Sequence, residues 1–171
     1  MVQGSGQGRV MGVDFGQARI GIAISDELRV VARPLCVIRW GGKELPLAAL
    51  IELMQRHEIG EILVGLPRNM DGSEGSSAER ARHFAGALAR SCPVAIRLMD
   101  ERLSSREAYQ MAQTDAQSSR SSRPRRAAAE LDAHAAAVIL QRYLDGESYL
   151  PLDAASASVA DDQPMNTPGG R

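Results

Sequence analysis

Two runs of branched and small residues, Arg9 to Asp14 (RVMGVD) and Arg19 to Ser25 (RIGIAIS), are separated only by Phe15-Gly16-Gln17-Ala18. A connection this short suits an antiparallel hairpin. A third strand, Val30 to Ile38, is expected across a turn at Asp26-Glu27. The pattern then changes. Leu47, Leu50, Ile51 and Met54 recur at helical spacing, and Glu61 to Leu66 (EILVGL) reads as a buried strand stopped by Pro67. A loop from Pro67 to Gly75 leads to a helix that Ser76 and Glu79 would open as a capping box, with Ala81, Phe84, Ala85 and Leu88 inward. Val94 to Leu98 supplies a fifth strand. Helices are expected from about Ser104 to Gln113 and from about Ala127 to Leu144, separated by QTDAQSSRSSRPRR. A meander of three strands followed by alternating helix and strand predicts an α/β fold: a mixed five-stranded central sheet with helices on both faces.

The 171 residues suit one domain. Residues 1–8 (MVQGSGQG) read as a disordered lead-in, residues 9–149 as the folded domain, and residues 150–171, rich in Pro, Ala, Ser and Asp, as a disordered acidic tail. The early GSGQG precedes a strand and no Gly-Lys-Ser/Thr closes it, which argues against a phosphate-binding loop. With neither a membrane-length apolar run nor a cleavable leader, the expectation is a cytoplasmic protein. Cys36 and Cys92 each stand alone and read as buried thiols; His57, His83 and His134 are scattered, and no nucleophile–histidine set is legible. Aromatic residues make up only 4% of the chain, which disfavours a surface that stacks bases.

The informative residues are three acids. Asp14 closes the first strand and Glu101 lies just past the fifth; if strands one, four and five run parallel, both emerge at the carboxyl edge of the sheet, where open α/β sheets bind ligands. Asp132 falls in line with Ala135, Ala136 and Ile139 on the last helix, on or beside its apolar face. An acid turned toward a core needs an arginine or a metal. Taken singly, each has an ordinary explanation: Asp14 caps a turn, Glu101 pairs with Arg102 or Arg106, and Asp132 complements a helix dipole. Taken together, without a catalytic His or Cys, they suit hard divalent cations, Mg²⁺ or Mn²⁺, and two such ions about 4 Å apart would serve phosphoryl transfer.

Four segments carry a resemblance. They are Asp14-Phe15-Gly16 through Arg19-Ile20-Gly21-Ile22-Ala23 to Ser25-Asp26; Val64-Gly65-Leu66-Pro67 with Asn69-Met70-Asp71-Gly72-Ser73-Glu74-Gly75; Asp100-Glu101-Arg102-Leu103-Ser104; and Asp132 with Ala135-Ala136 and Ile139-Leu140-Gln141. In this order, over residues 9–145, they resemble the YqgF or RuvX family of Holliday-junction-resolvase-like proteins, whose members are described as candidate pre-16S rRNA nucleases. The resemblance implies a ribonuclease H-like fold. It also implies that Asp14, Glu101 and Asp132 are the catalytic and metal-binding carboxylates of a phosphodiester hydrolase that leaves a 5′-phosphate and a 3′-hydroxyl. Asp100 is an auxiliary candidate, but strand alternation points it away from its neighbour, so Glu101 is preferred. Ser104 replaces the usual threonine, Gln17-Ala18 a more common Thr-Lys, and Arg68 occupies a variable position; no proposed ligand is lost.

Arg19, after the first turn, is placed to reach a phosphate or an acid, and Asn69 stands in a loop on the same edge. Arg102, and the group Arg120, Arg123, Arg125 and Arg126 interleaved with serines, read as nucleic-acid contacts. Arg80 and Arg82 read as solvated. The function expected is nuclease action on structured nucleic acid, such as the 5′ end of pre-16S rRNA, by a monomer or homodimer. The alternatives are resolution of branched DNA, which requires a dimer; a non-catalytic nucleic-acid-binding factor; and an actin-like nucleotide-binding protein, for which the chain lacks the second domain. The overall charge of −1 does not argue against a nucleic-acid substrate: residues 145–171 hold five acids and one arginine, and without them 19 basic residues face 16 acidic ones.

Overall fold

The computed structural model describes residues 8–41, 44–101 and 124–152. Lys43, Arg102, Arg120, Arg123 and the helix expected from about Ser104 to Gln113 lie outside them. Strands β1 (Arg9–Phe15) and β2 (Arg19–Ser25) form the hairpin, with the Gly16 N–H donating to the Arg19 carbonyl at 2.9 Å. Next come β3 (Ala32–Arg39), α1 (Leu47–Arg56), β4 (Ile59–Leu66), α2 (Ser76–Ser91), β5 (Ala95–Asp100), α3 (Pro124–Leu144) and β6 (Leu150–Pro151). The sheet order is β3-β2-β1-β4-β5-β6, with β1, β4 and β5 mutually parallel and the remaining pairings antiparallel.

Alternation sorts the strands onto two cores. Met11, Val13, Ile20, Ile22, Ile62 and Val64 face α1 and α2, where Phe84 is fully buried and stacks on Phe15 at 4.4 Å between ring centroids. Val10, Ala23, Leu63 and Met99 face Ala136, Ile139 and Leu140 of α3. Helices therefore cover both faces, as expected.

β4 starts at Ile59 and β5 spans Ala95–Asp100, small shifts from the sequence reading; four further departures have a local reason. β3 begins at Ala32 rather than Val30 because the Asp26 carboxylate accepts the Val30 and Val31 N–H groups at 2.7 and 3.0 Å, holding those residues in the turn. The capping box does not form: Gly75 is the N-cap, Ser76 is already helical, and the Glu79 N–H bonds the Gly75 carbonyl at 3.1 Å. α3 starts at Pro124, whose missing N–H is tolerated in a first turn, so Arg125 and Arg126 belong to the helix and not to a loop before it. The tail does not begin at residue 150. Leu150 and Pro151 pair with Leu98 and Arg97 as a short sixth strand, and Leu150 and Leu152 pack on the α1–α2 side.

Two polar devices join distant segments. The Gln141 amide acts as a surrogate peptide: its Oε1 accepts the Ala32 N–H at 2.9 Å, and its Nε2 donates to the Val30 carbonyl at 3.0 Å. Glu61, 5% exposed at the start of β4, receives Arg29 at 3.0 Å, the Tyr143 hydroxyl at 2.7 Å and Arg97; Arg97 in turn lies over the Tyr149 ring. Such a buried carboxylate is tolerable only because it is paired and hydrogen-bonded.

Candidate active site

Asp14 and Glu101 reach the same face and the same edge of the sheet because β1, β4 and β5 run parallel. Asp14 sits directly opposite Gly21 in the hairpin register. Over Gly21 lies the backbone of α3: a Cβ at position 21 would fall 1.9 Å from the Asp132 carbonyl oxygen. The bare glycine lets the helix settle onto the sheet and sets Asp132 beside Asp14. Gly65 does the same for the third acid, since a Cβ there would lie 1.7 Å from Glu101 Oε1 and 3.0 Å from Ile139 Cδ1. The Glu101 N–H donates to the Leu66 carbonyl at 3.1 Å, extending the β4–β5 ladder by one bond.

Burial and crowding act together on these acids. Desolvation, and then the charge of Asp132, push the Asp14 carboxyl up to about 6. Glu101 is pushed up to about 8, chiefly by burial and then by Asp14, while the Arg142 guanidinium offsets part of the shift. Burial raises Asp132 as well, and Arg19, whose Nε stands 2.7 Å from Asp132 Oδ2, opposes it. Asp14 is thus the hinge of two like-charge pairs. An all-oxygen donor set whose members disfavour one another's charge fits a hard divalent cation. Among the described residues no three side chains already share ligating positions. Asp132 is paired with Arg19 through its Oδ2.

The other candidates are distributed unevenly. Asp100 points to the opposite face, where it pairs with Arg68 at 3.3 Å, so alternation excludes it from the Asp14–Glu101 face. The Asn69 amide is engaged within its own loop, donating to Ser73 Oγ at 2.8 Å. Arg82 is held by Glu74 at 2.7 Å and does not read as simply solvated, whereas Arg80 is exposed against Ser77. Burial pushes the Cys36 and Cys92 thiols up, which leaves them poor nucleophiles.

Three residues escaped the sequence reading as site elements. Gly21 and Gly65 stand in the quoted segments, but their role appears only once α3 and Glu101 are seen resting on them. Arg142, the cation facing Glu101, follows Ile139 by one helical step, and that spacing was the available signal.

A group whose carboxyl is raised in the folded state stabilises the fold below its ordinary value, and that contribution is lost as pH rises through the folded one. Without metal, Glu101→Gln should therefore match the parent near pH 4 and become steadily more stable than it up to about pH 8. The slope is at most about 1.4 kcal/mol per pH unit. Thermal melts in EDTA across this range test it, and Mn²⁺ should stabilise the parent selectively. A gap that does not widen with pH would refute the buried, crowded state of Glu101.

Comparison with known proteins bears on the family and the fold. A family model described as RuvX: Holliday junction resolvase matches residues 8–146. A protein of Anaeromyxobacter sp. (strain Fw109-5) named "Putative pre-16S rRNA nuclease" is 48% identical over 138 residues, covering 81% of this chain and 97% of its own length. One of the same name from Myxococcus xanthus (strain DK1622) is 42% identical over 138 residues, covering 80% and 87%. Among solved structures, Thermus thermophilus RuvC superposes with a TM-score of 0.52 at 16% identity, over 83% of this chain and 99% of its own. The resolvase of Fowlpox virus, solved with Holliday junction DNA, gives 0.50 at 8% identity, over 80% and 97%. These likenesses identify the fold as the ribonuclease H-like one expected. With the family model spanning nearly the whole described domain, and relatives above 40% identity along its length, the chain belongs to the RuvX family.

Proposed function

We propose that this chain is a metal-dependent nuclease that hydrolyses phosphodiester bonds in structured nucleic acid, with the 5′ end of pre-16S rRNA as its substrate and the cytoplasm as its place of action. The observation that carries this reading is the crowded, partly buried set of carboxylates: Asp14 beside Glu101 and beside Asp132, on glycine floors at the carboxyl edge of the sheet. The names of the relatives support the rRNA substrate. Asp14, Glu101 and Asp132 would hold one or two Mg²⁺ or Mn²⁺ ions. Divalent ions bound there would neutralise developing phosphate charge and make a water nucleophilic.

The chain's own residues do the rest. Asp14, in β1, and Glu101, just past the end of β5, supply the oxygen donors carried by the sheet. Asp132, on α3, is the adjustable member, because Arg19 competes for its carboxylate. Arg19 stands at the mouth of the site, where a guanidinium can hold a substrate phosphate bidentately. Arg125 and Arg126, in the first turn of α3, add positive charge on the same element. Arg102, Arg120 and Arg123 remain candidates for the same backbone.

Asp14→Asn and Asp132→Asn should each reduce Mn²⁺-supported cleavage by at least about a hundredfold, the scale of losing one preorganised electrostatic group. Binding in EDTA or Ca²⁺ should persist. Unimpaired cleavage in both variants would overturn the assignment and favour a non-catalytic binding factor. The family description favours a second reading, resolution of four-way DNA junctions. Cleavage of a junction in preference to an rRNA-precursor fragment, by a dimer in sedimentation, would select it.

A further inference from the structure

An open cleft of about 580 Å³ adjoins the candidate site on the side away from Glu101. Gly16, Gln17, Arg19, Arg39 and Asp132 line it, so it begins at the third carboxylate and runs across β2 to the edge strand β3. Its volume falls within the usual range for ligand sites. Its walls are fixed. The Trp40 N–H and indole Nε1 donate to the Ala18 and Gly16 carbonyls, each at 3.2 Å, which pins the end of β3 to the β1–β2 turn, and Phe15 packs on Trp40 at 5.5 Å.

Within the cleft two arginines face one another. Arg19 and Arg39 are register partners on adjacent antiparallel strands, an arrangement that costs stability when like charges stand directly opposite. Arg19 is compensated by Asp132. Arg39 is exposed, and among the described residues no carboxylate pairs with it. The fold thus keeps a like-charge pair at the rim of a rigid cleft whose inner end is the candidate site, with no structural return from the outer member.

We propose that this cleft is a backbone subsite, in which Arg39 holds a phosphodiester of the substrate strand flanking the one cleaved. The proposal rests on the nuclease reading and deepens it, adding a binding residue and the direction in which the strand leaves the site, over β2 toward β3. Arg39 is a binding residue and not a catalytic one, because it lies at the far wall from Glu101. Arg19 at the inner end of the cleft and Arg39 at its outer wall place two guanidinium groups along the path of the strand.

The test is binding to a four-way DNA junction and to an RNA hairpin, by anisotropy in Ca²⁺ over a series of KCl concentrations, with full-length Asp14→Asn as the parent. Arg39→Ala should weaken binding to both probes and reduce the slope of log affinity against log salt by about 0.9, the loss of one phosphate contact. Arg39→Lys should keep most of the slope. Arg56→Ala, on α1 and paired with Glu52 away from the cleft, should keep all of it. A parent slope left intact by Arg39→Ala overturns the subsite alone. A parent that shows no salt-dependent binding overturns the nuclease reading, and the subsite with it.

Discussion

Replacing Gly21 with alanine is expected to lower the melting temperature by about 5–10 °C and to suppress cleavage along with it. The new methyl would stand 1.9 Å from the Asp132 carbonyl oxygen and 3.1 Å from the Ala133 nitrogen, and both are backbone atoms of α3. No rotamer relieves that clash, so the helix must lift from the sheet. Overpacking of this kind costs about 2–3 kcal/mol, and a chain of this size loses roughly 2–4 °C for each kcal/mol. Gly65→Ala makes the useful contrast. Its methyl meets the Glu101 carboxylate 1.7 Å away, at the end of a side chain that can swing aside. Its melting temperature should fall much less, while cleavage falls as far, because the carboxylate moves away from Asp14. Calorimetry and a cleavage assay on both variants separate the cases. A Gly21→Ala protein that melts with the parent would refute the close seat of α3, and a fully active Gly65→Ala would remove Glu101 from the site.

The second large effect lies at the other end of the sheet. Glu61→Leu is expected to destabilise the fold by about 3 kcal/mol, the lower end of the range for removing one partner of a buried charge set. Arg29 and Arg97 keep 22% and 30% of their side-chain surface exposed, so water meets part of their need, and this places the value at the lower end. The Tyr143 hydroxyl loses its acceptor as well. Because Glu61 lies at the start of β4 and the candidate site at its end, the activity of the protein that remains folded should be unchanged. Urea unfolding, with cleavage measured well below the midpoint, tests this. A loss under about 1 kcal/mol would mean that the network contributes specificity of packing and little stability.

What could be read in the sequence was whatever depends on neighbours along the chain. The short turn Phe15 to Ala18, the alternation in RVMGVD and RIGIAIS, and Pro67 at the end of β4 point to the hairpin and the parallel order, and with them to the shared edge of Asp14 and Glu101. The preference for Glu101 over Asp100 rested on period-two alternation, and the register places the two on opposite faces. Hidden from that reading was whatever depends on partners far away in sequence. Gly21 looks like any strand glycine until Asp132 arrives over it, more than a hundred residues later. Glu61 reads as a polar strand start and is buried only because Arg29, Arg97 and Tyr143 converge on it from three other segments. Leu150 and Pro151 are too few to show any period, so β6 was assigned to the tail.

Glycine floors limit how near α3 can approach the sheet, but contact across a smooth floor does not prevent a rod from sliding along its own axis. Gln141, bonded to the backbone at Val30 and Ala32, supplies the missing longitudinal stop. It sits nine residues, or about 13.5 Å of helix, from Asp132. The position of the third carboxylate over the hairpin is therefore metered from the start of β3, through the stiffness of the helix between them.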